Sequence, residues 1–234
     1  MLKIERTVLP SPEQWEIIIE GMRNPMNSWH LSDSGVCTGF EEYLCEHCHD
    51  YEYDNCTKED DAPMFVLGAN DHKLMMGLAK GGAVHAKYRR MIPVFLTIDA
   101  PLYWWKEFDT YKVGTVANSC STMHKIQAKE FTLDDFSHEH LVWEAEDFLC
   151  TVVGYMNFCR ENYLASKDKK WWWQMIQILP TSYNQKRTVM LNYEVLVNIY
   201  NSRKNHKLDE WHVFCDWIEQ LPYSEIITGG DLCV

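Results

Sequence analysis

The sequence predicts an α+β fold. Short segments of period-two alternation, at residues 1–9 and 93–98, are separated by longer stretches whose apolar residues recur every three or four positions. The bulk to bury them is present: 234 residues, 46% hydrophobic and 13% aromatic, suffice for one well-buried domain or two small ones. A formal net charge of -12 argues against a general binder of phosphate backbones, so no nucleic-acid polymer is expected as partner. A small nucleotide in a locally basic pocket stays compatible with that charge. Nine cysteines, an odd number in a chain rich in Met and Trp, fit a reduced, cytoplasmic protein. No signal peptide is expected, because Met1–Pro10 carries charge and lacks an apolar segment. No apolar run approaches membrane-spanning length, so no membrane partner is expected.

Met1–Leu9 reads as a strand, with Leu2 and Ile4 on one side and Lys3 and Glu5 on the other. Ser11-Pro12-Glu13 then starts a helix: a hydroxyl to cap, a proline where no N–H is needed, and an acid at the positive end of the dipole. Trp15, Ile18, Ile19 and Met22 form its inner face, and Arg23-Asn24-Pro25 stops it. The polar groups of Asn27-Ser28-Trp29 and Ser32-Asp33-Ser34 suit either a ligand-pocket loop or a capping and turn segment.

The region from about 35 to 62 is the least regular. Cys45-x-x-Cys48 has the spacing at which two thiolates share one tetrahedral zinc, and Cys56 with Cys37 or a histidine would complete the set. A free loop is the alternative. Regular structure resumes at Ala69, where Asn70 can cap a helix that buries Leu74, Met75 and Leu78 and ends at Gly81-Gly82. His85 follows, then Arg89 and Arg90, whose guanidinium groups are natural partners for a phosphate or carboxylate. Pro93–Ile98 is a strand with Val94 and Leu96 opposite Phe95 and Thr97.

The most information-rich stretch is 99–126. Asp99-Ala100-Pro101 turns the chain, with Pro101 suited to the first helical position. Leu102, Trp105, Phe108 and Asp109 then recur at helical spacing. Asn118–Thr122 reads as a loop of small donors, suited to a phosphate or a base edge or to an ordinary turn bonding its own backbone. Further on, Phe131-Thr132-Leu133 is short and extended. His138–Leu164 is a long helix with a stripe that includes Leu141, Phe148, Leu149, Val152, Tyr155, Met156 and Cys159. Trp171-Trp172-Trp173 opens another helix ending at Leu179-Pro180, and three adjacent tryptophans cannot all face one core. Leu208–Leu221 closes the chain with Trp211, Phe214, Cys215 and Ile218 inside.

The order of residues in two of these stretches resembles the flavin-dependent thymidylate synthases, the ThyX family. Ala100-Pro101 matches that family's helix opening, Lys106-Glu107 stands in the place of its Arg-Gln, Thr110-Tyr111-Lys112 in that of its Arg-His-Arg, and Thr115, Asn118 and Ser121 in its loop. Downstream come Leu179-Pro180, Tyr183, Asn192, Leu196, Asn198, Arg203 and His206, in the family's order. The resemblance spans nearly the whole chain and leaves only the Cys/His-rich insertion outside. It implies a single domain over 1–234, with a mixed or antiparallel sheet packed by helices, and a homotetramer with pockets between subunits. It implies FAD as cofactor, methylenetetrahydrofolate and NADPH as co-substrates, and dUMP or a related pyrimidine nucleotide as acceptor of a one-carbon unit. His85, Asn192 and Asn198 are the flavin-contacting positions so implied, and Glu107, Lys112, Ser121 and Arg203 the nucleotide-contacting ones; no catalytic residue is assigned.

Departures from the pattern are chemical. Thr110 and Lys112 replace two arginines, Ser119 a glutamate and Met123 an arginine. A lysine cannot reproduce a two-pronged guanidinium contact. Arg89, Arg90, Lys106, Lys112, Lys125 and Arg187 are the candidates for replacement charge. Two other functions stand beside the flavoenzyme: a non-catalytic nucleotide-binding or sequestering protein on the same frame, and a zinc-stapled interaction protein.

Overall fold

The structure, a computed structural model, describes residues 1–37 and 64–229. Cys45, Cys48, Cys56 and the rest of the proposed zinc set other than Cys37 lie outside the described residues. The architecture is α+β, and the chain divides into two compact units.

Unit one comprises Met1–Thr7, Phe95–Met190 and Lys207–Phe214. It holds most of a four-stranded sheet in the order β1-β4-β6-β5, made by Lys3–Val8, Pro93–Pro101, Asn184–Asn192 and Val116–Ser119. On β4 the side chains alternate, Val94, Leu96, Ile98 and Ala100 buried and Phe95 half-exposed, so one face of the strand feeds the core. The strand runs on through Asp99 and Ala100 to Pro101, three residues further than the alternation alone predicts. Pro101 therefore caps helix α3 (Leu102–Phe108) from outside instead of opening its first turn. A proline fits there because the strand has ended and the cap backbone is extended (φ -67°, ψ 151°).

Val116–Ser119 is a strand, and its last two residues are the first two of the loop expected at Asn118–Thr122. It pairs antiparallel with β6, Val116 opposite Met190 and Ser119 opposite Arg187, and Cys120 N–H adds a bond to Lys186 O at 2.9 Å. An available partner edge outweighs the weak strand propensity of Ala-Asn-Ser. Phe131–Leu133 leads into a single 3-10 turn at Leu133–Asp135 capped by Thr132.

Helices α4 (Trp143–Ser166) and α5 (Lys169–Ile178) pack on one another around Leu149, Val153, Met156, Cys159 and Met175. α4 starts five residues later than its apolar pattern suggests, after a turn in which Leu141 N–H bonds His138 O. Lys167, in the left-handed region (φ 57°), reverses the chain, and Asp168 caps α5 by accepting from Lys170 N–H at 3.0 Å. Of the predicted stripe, Leu141, Phe148 and Tyr155 remain on the surface. Trp171 and Trp172 are half-buried, and Trp173 is exposed.

Unit two comprises Val8–Val94, Leu191–His206 and Cys215–Val234. Helix α1 (Pro12–Arg23) has the expected start. Ser11 accepts from Gln14 N–H, and Gln14 returns the bond to Ser11 N–H at 2.8 Å, a capping box worth about 1 kcal/mol. Trp15, Ile18, Ile19 and Met22 are buried as predicted. Trp15 stacks on Phe65 at 5.5 Å and meets Tyr193 and Tyr223 edge-on. Phe65 belongs to a two-stranded ribbon of β2 (Gly35–Cys37) and β3 (Met64–Val66).

Helix α2 (Ala69–Lys80) is capped from a distance. Asn70 is not the cap; Asp33 accepts from both Asn70 N–H (2.9 Å) and Asp71 N–H (3.1 Å). The N-cap position is Gly68, where an added Cβ would lie 2.2 Å from the Asp33 carboxylate, so only glycine admits this arrangement. The segment Ser32-Asp33-Ser34 is thus a capping and turn segment.

Helix α6 (Tyr193–Arg203) and the short α8 (Glu225–Thr228) complete the unit together with the second half of α7 (Asp209–Glu219), whose first half belongs to unit one. Among the described residues no helix is long and apolar enough to cross a membrane.

Candidate functional site

In unit one the signature residues are organised by β6. Gln185, buried on the core side of that strand, uses three of its polar atoms. Its backbone carbonyl accepts from Trp105 Nε1 at 2.8 Å, its Nε2 donates to Cys120 O at 2.8 Å, and its Oε1 accepts from Arg187 Nε at 2.9 Å. α3 and the end of β5 are thereby tied to one residue, α3 through its backbone carbonyl and the end of β5 through its side chain. Two residues on, the Arg187 guanidinium lies 4.3 Å from the centre of the Trp105 ring and donates to Asp109 Oδ1 at 2.7 Å. Arg187 is 14% exposed and Asp109 45%, so the pair opens to solvent on the carboxylate side. Stacking on tryptophan and bonding along the fork edge hold a guanidinium in one orientation, as recognition of a flat anion requires.

Glu107, on α3, accepts from Trp211 Nε1 at 2.9 Å, which anchors it to the aromatic cluster of Trp104, Trp105, Phe108 and Phe214. Thr110 turns its hydroxyl back onto Glu107 O at 2.7 Å, and Tyr111 lies edge-on to Trp211. Lys112 is exposed, as are Lys106 and Lys125. Ser121 is exposed and its Oγ accepts from His124 N–H at 2.9 Å, the turn bond of the plainer sequence reading. Thr115 Oγ1 is buried, with no hydrogen-bond partner among the described residues. Of the three predicted nucleotide contacts here, Glu107 and Lys112 are on and just after α3, and Ser121 follows β5; Gln185 links the two segments.

Another group on unit one lies on the opposite face of β6. Lys186 bonds Glu5 at 2.7 Å, and burial raises the Asp99 carboxyl above its ordinary value against the opposing pull of Lys186. Asp99 Oδ1 has no hydrogen-bond partner among the described residues.

In unit two the other predicted residues are spread along α6 and the turn after α2. Asn192 caps α6, its Oδ1 accepting from Val195 N–H at 3.1 Å. Asn198 is exposed, and Arg203 is half-buried in the last turn. Five residues separate these two, which places them about 140° apart around the helix axis. His85 is exposed in the turn after α2, close enough that a Cβ on Gly81 would lie 3.1 Å from its ring. Arg89 is buried, donating to Ile226 O and lying 3.7 Å from Glu194, whereas Arg90 is exposed.

Two cavities in this unit, of about 180 and 290 Å³, flank Arg23; Trp29, Ser32 and Ser34 line the first and Ser28 the second, from the segments that the sequence offers as a ligand-pocket loop, and none of the residues implied by the resemblance lines either. Each nitrogen of Arg23 is engaged, Nε donating to Asp71, Nη1 to Ser28 and Nη2 to Leu31 O. Burial alone would raise the Asp71 carboxyl, but the hydroxyls of Ser34 and Ser32 together with Arg23 outweigh it and hold it below the ordinary value. This is a structural knot of Arg23, Asp71 and the serines around them.

Sequence reasoning missed Gln185, Asp109 as an ion-pair partner, and the Arg23–Asp71 pair. The available signal was polar residues at inward positions of otherwise apolar patterns: Gln185 and Arg187 on the same face of β6 as Val189 and Leu191, and Asp71 on the same face of α2 as Met75.

No known family profile matches the sequence, and no curated protein matches it. Solved structures do. A flavin-dependent thymidylate synthase ThyX from Helicobacter pylori, complexed with FAD and dUMP, is similar at a TM-score of 0.61 and 14% identity, over 97% of this chain and 96% of that one. A second structure of Thymidylate Synthase X from Helicobacter pylori, with FAD and dUMP, gives a TM-score of 0.62 at 12% identity over the same shares. This chain therefore has the α+β fold of the ThyX structures, with similarity over 97% of its length.

Proposed function

We propose that the protein is a divergent flavin-dependent thymidylate synthase-like enzyme, an FAD-dependent methyltransferase that passes a one-carbon unit to dUMP or a related pyrimidine nucleotide. The observation that carries this reading is the end-to-end likeness to structures holding FAD and dUMP. The chain is read as one domain with an insertion at about 35–62, acting in the cytoplasm as a homo-oligomer, a tetramer by analogy.

The residues present fit parts of such ligands. Lys112 and Arg187 supply charge for a phosphate, and Arg187 comes already oriented by Trp105 and Asp109. The unpartnered Thr115 hydroxyl is a further polar group in the same stretch. In unit two, Arg203 has the fork for a phosphate, while Asn198 and the Asn192 amide have the donor and acceptor pattern a flavin ring meets; His85 is kept as a flavin contact and Ser121 and Glu107 as nucleotide contacts. FAD supplies the redox chemistry, with methylenetetrahydrofolate as carbon donor and NADPH as reductant; the protein's part is to bind, orient and exclude water. Zinc at Cys45, Cys48 and Cys56 is a separate proposal that metal analysis of the purified chain tests.

A second reading, a non-catalytic nucleotide-binding protein, is favoured by one observation: in the slot of the family's Arg-His-Arg, Thr110 bonds its own helix and Tyr111 packs on Trp211. An absorbance spectrum of the pure protein with added FAD, followed by a dUMP titration, decides between them. A bound-flavin spectrum perturbed by dUMP supports the enzyme; nucleotide binding without flavin supports the second reading; neither overturns both. Within the first outcome, Lys112→Ala should weaken dUMP binding about tenfold or more while Asn198→Ala acts on FAD.

A further inference from the structure

In the Arg187–Asp109 pair the arginine is fixed and the aspartate is not. The guanidinium lies 4.3 Å from the Trp105 ring centre, its Nε donates to Gln185 Oε1 at 2.9 Å, and its Nη1 donates to Asp109 Oδ1 at 2.7 Å. Trp105 and Gln185 are both buried, so these two supports stay in place whatever Asp109 does. With Nε taken, the Nη1–Nη2 end is the edge left for an anion, and Nη2 makes no hydrogen bond among the described residues. Asp109 is the C-cap of α3, where the carbonyl ends of a helix disfavour a carboxylate. It is 45% exposed, and among the described residues its carboxylate bonds Arg187 alone. It can therefore swing into water and leave the guanidinium oriented.

A second donor stands beside this edge. Ser119 on β5 is the residue directly opposite Arg187 on β6, and it is exposed. Opposed residues of an antiparallel pair put their side chains on the same face of the sheet, with Cβ atoms about 5 Å apart. The ligand group that suits a fork plus a hydroxyl is a phosphate monoester. It carries up to about two negative charges near neutral pH and three acceptor oxygens, two for the fork and one for the serine. A ligand carboxylate brings one charge and two oxygens, which gives it no advantage over the carboxylate already tethered there.

We propose that Asp109 is an internal competitor for Arg187, displaced when a phosphate monoester binds the guanidinium and the Ser119 hydroxyl. The pair thereby favours a phosphorylated ligand over its unphosphorylated form. This deepens the nucleotide reading above and rests on it for the ligand's identity. The test is calorimetric titration of the full chain with dUMP, deoxyuridine and phenyl phosphate. Wild type should bind dUMP more tightly than deoxyuridine. D109N removes the competing charge and should tighten dUMP and phenyl phosphate about fivefold, the worth of a part-exposed ion pair, with deoxyuridine unchanged. R187Q should weaken both phosphates at least tenfold, with far-UV circular dichroism unchanged. A pair that only holds the fold predicts no gain in D109N. Binding of dUMP that D109N does not tighten, or that R187Q leaves intact, overturns the proposal and spares the nucleotide reading. Phenyl phosphate bound with both effects, and dUMP not bound, supports the anion site and overturns the nucleotide reading. No phosphate bound by wild type or D109N overturns both.

Discussion

Among the described residues each unit holds an arginine–aspartate pair built on a short contact, and these two pairs do opposite things. Arg23 and Asp71 are 4% and 0% exposed, 2.5 Å apart, and every polar edge of both is consumed by neighbouring backbone and serine groups. Arg187 and Asp109 are 14% and 45% exposed, 2.7 Å apart, and the guanidinium also lies on an indole. A pair sealed from water fixes the chain around it and can do little else. A pair with one carboxylate open to solvent keeps its arginine oriented while the carboxylate can be exchanged for another anion. Burial, more than the residue types, separates scaffold from candidate site.

The strongest way to break the contrast is Asp71→Ala. It strands a buried guanidinium and should cost about 3–5 kcal/mol in urea unfolding. A loss under 1 kcal/mol would mean that Arg23 finds water, and the two pairs would be alike. Acidity sharpens the same point. The Asp71 carboxyl is held below its ordinary 3.8, so its stabilisation is fully present well above that value and is lost as pH falls towards and through the depressed native value. The stability gap between wild type and Asp71→Asn should therefore be constant near neutrality and narrow progressively below about pH 5; a gap that narrows already near neutrality would contradict the assignment.

Smaller effects are expected in unit one. Arg187→Lys keeps the charge but loses the fork and the flat stack, and should cost about 1 kcal/mol. Asp109→Ala, at a half-exposed carboxylate, should cost less than about 1 kcal/mol, and a thermal scan resolves the order of the two. Ser121→Ala should fall within about 0.5 kcal/mol of wild type, its one turn bond being solvent-exposed. A larger loss would make that turn part of the fold's framework.

Where the sequence could be read, periodicity and capping made it legible. The inner faces of α1 and α7 follow from spacing alone, and Ser11-Pro12 announces its helix by chemistry that is entirely local. Where it could not, the deciding partner was distant. Asn70 looks like a cap until Asp33 arrives from 37 residues upstream, and Asn118-Ser119 looks like the start of a loop until β6 offers its edge. The site divides the same way. The order of Glu107, Lys112 and Ser121 was readable, but the residue that links their segments, Gln185, carries no local mark and acts only through tertiary bonds.

The strand order also sets a timetable for making the protein. β1 is synthesised first but borders β4, some ninety residues later, and β4 borders β6, some ninety residues later again. β5 has β6 as its sheet neighbour, so it waits for a strand that ends at Asn192. A nascent chain on the ribosome thus carries an unpaired strand edge through most of its translation. Such an edge is where misassembly begins, and sheets built from contacts this distant in sequence close slowly. Recovery after dilution from denaturant should accordingly fall as protein concentration rises, while the native protein tolerates the same concentrations.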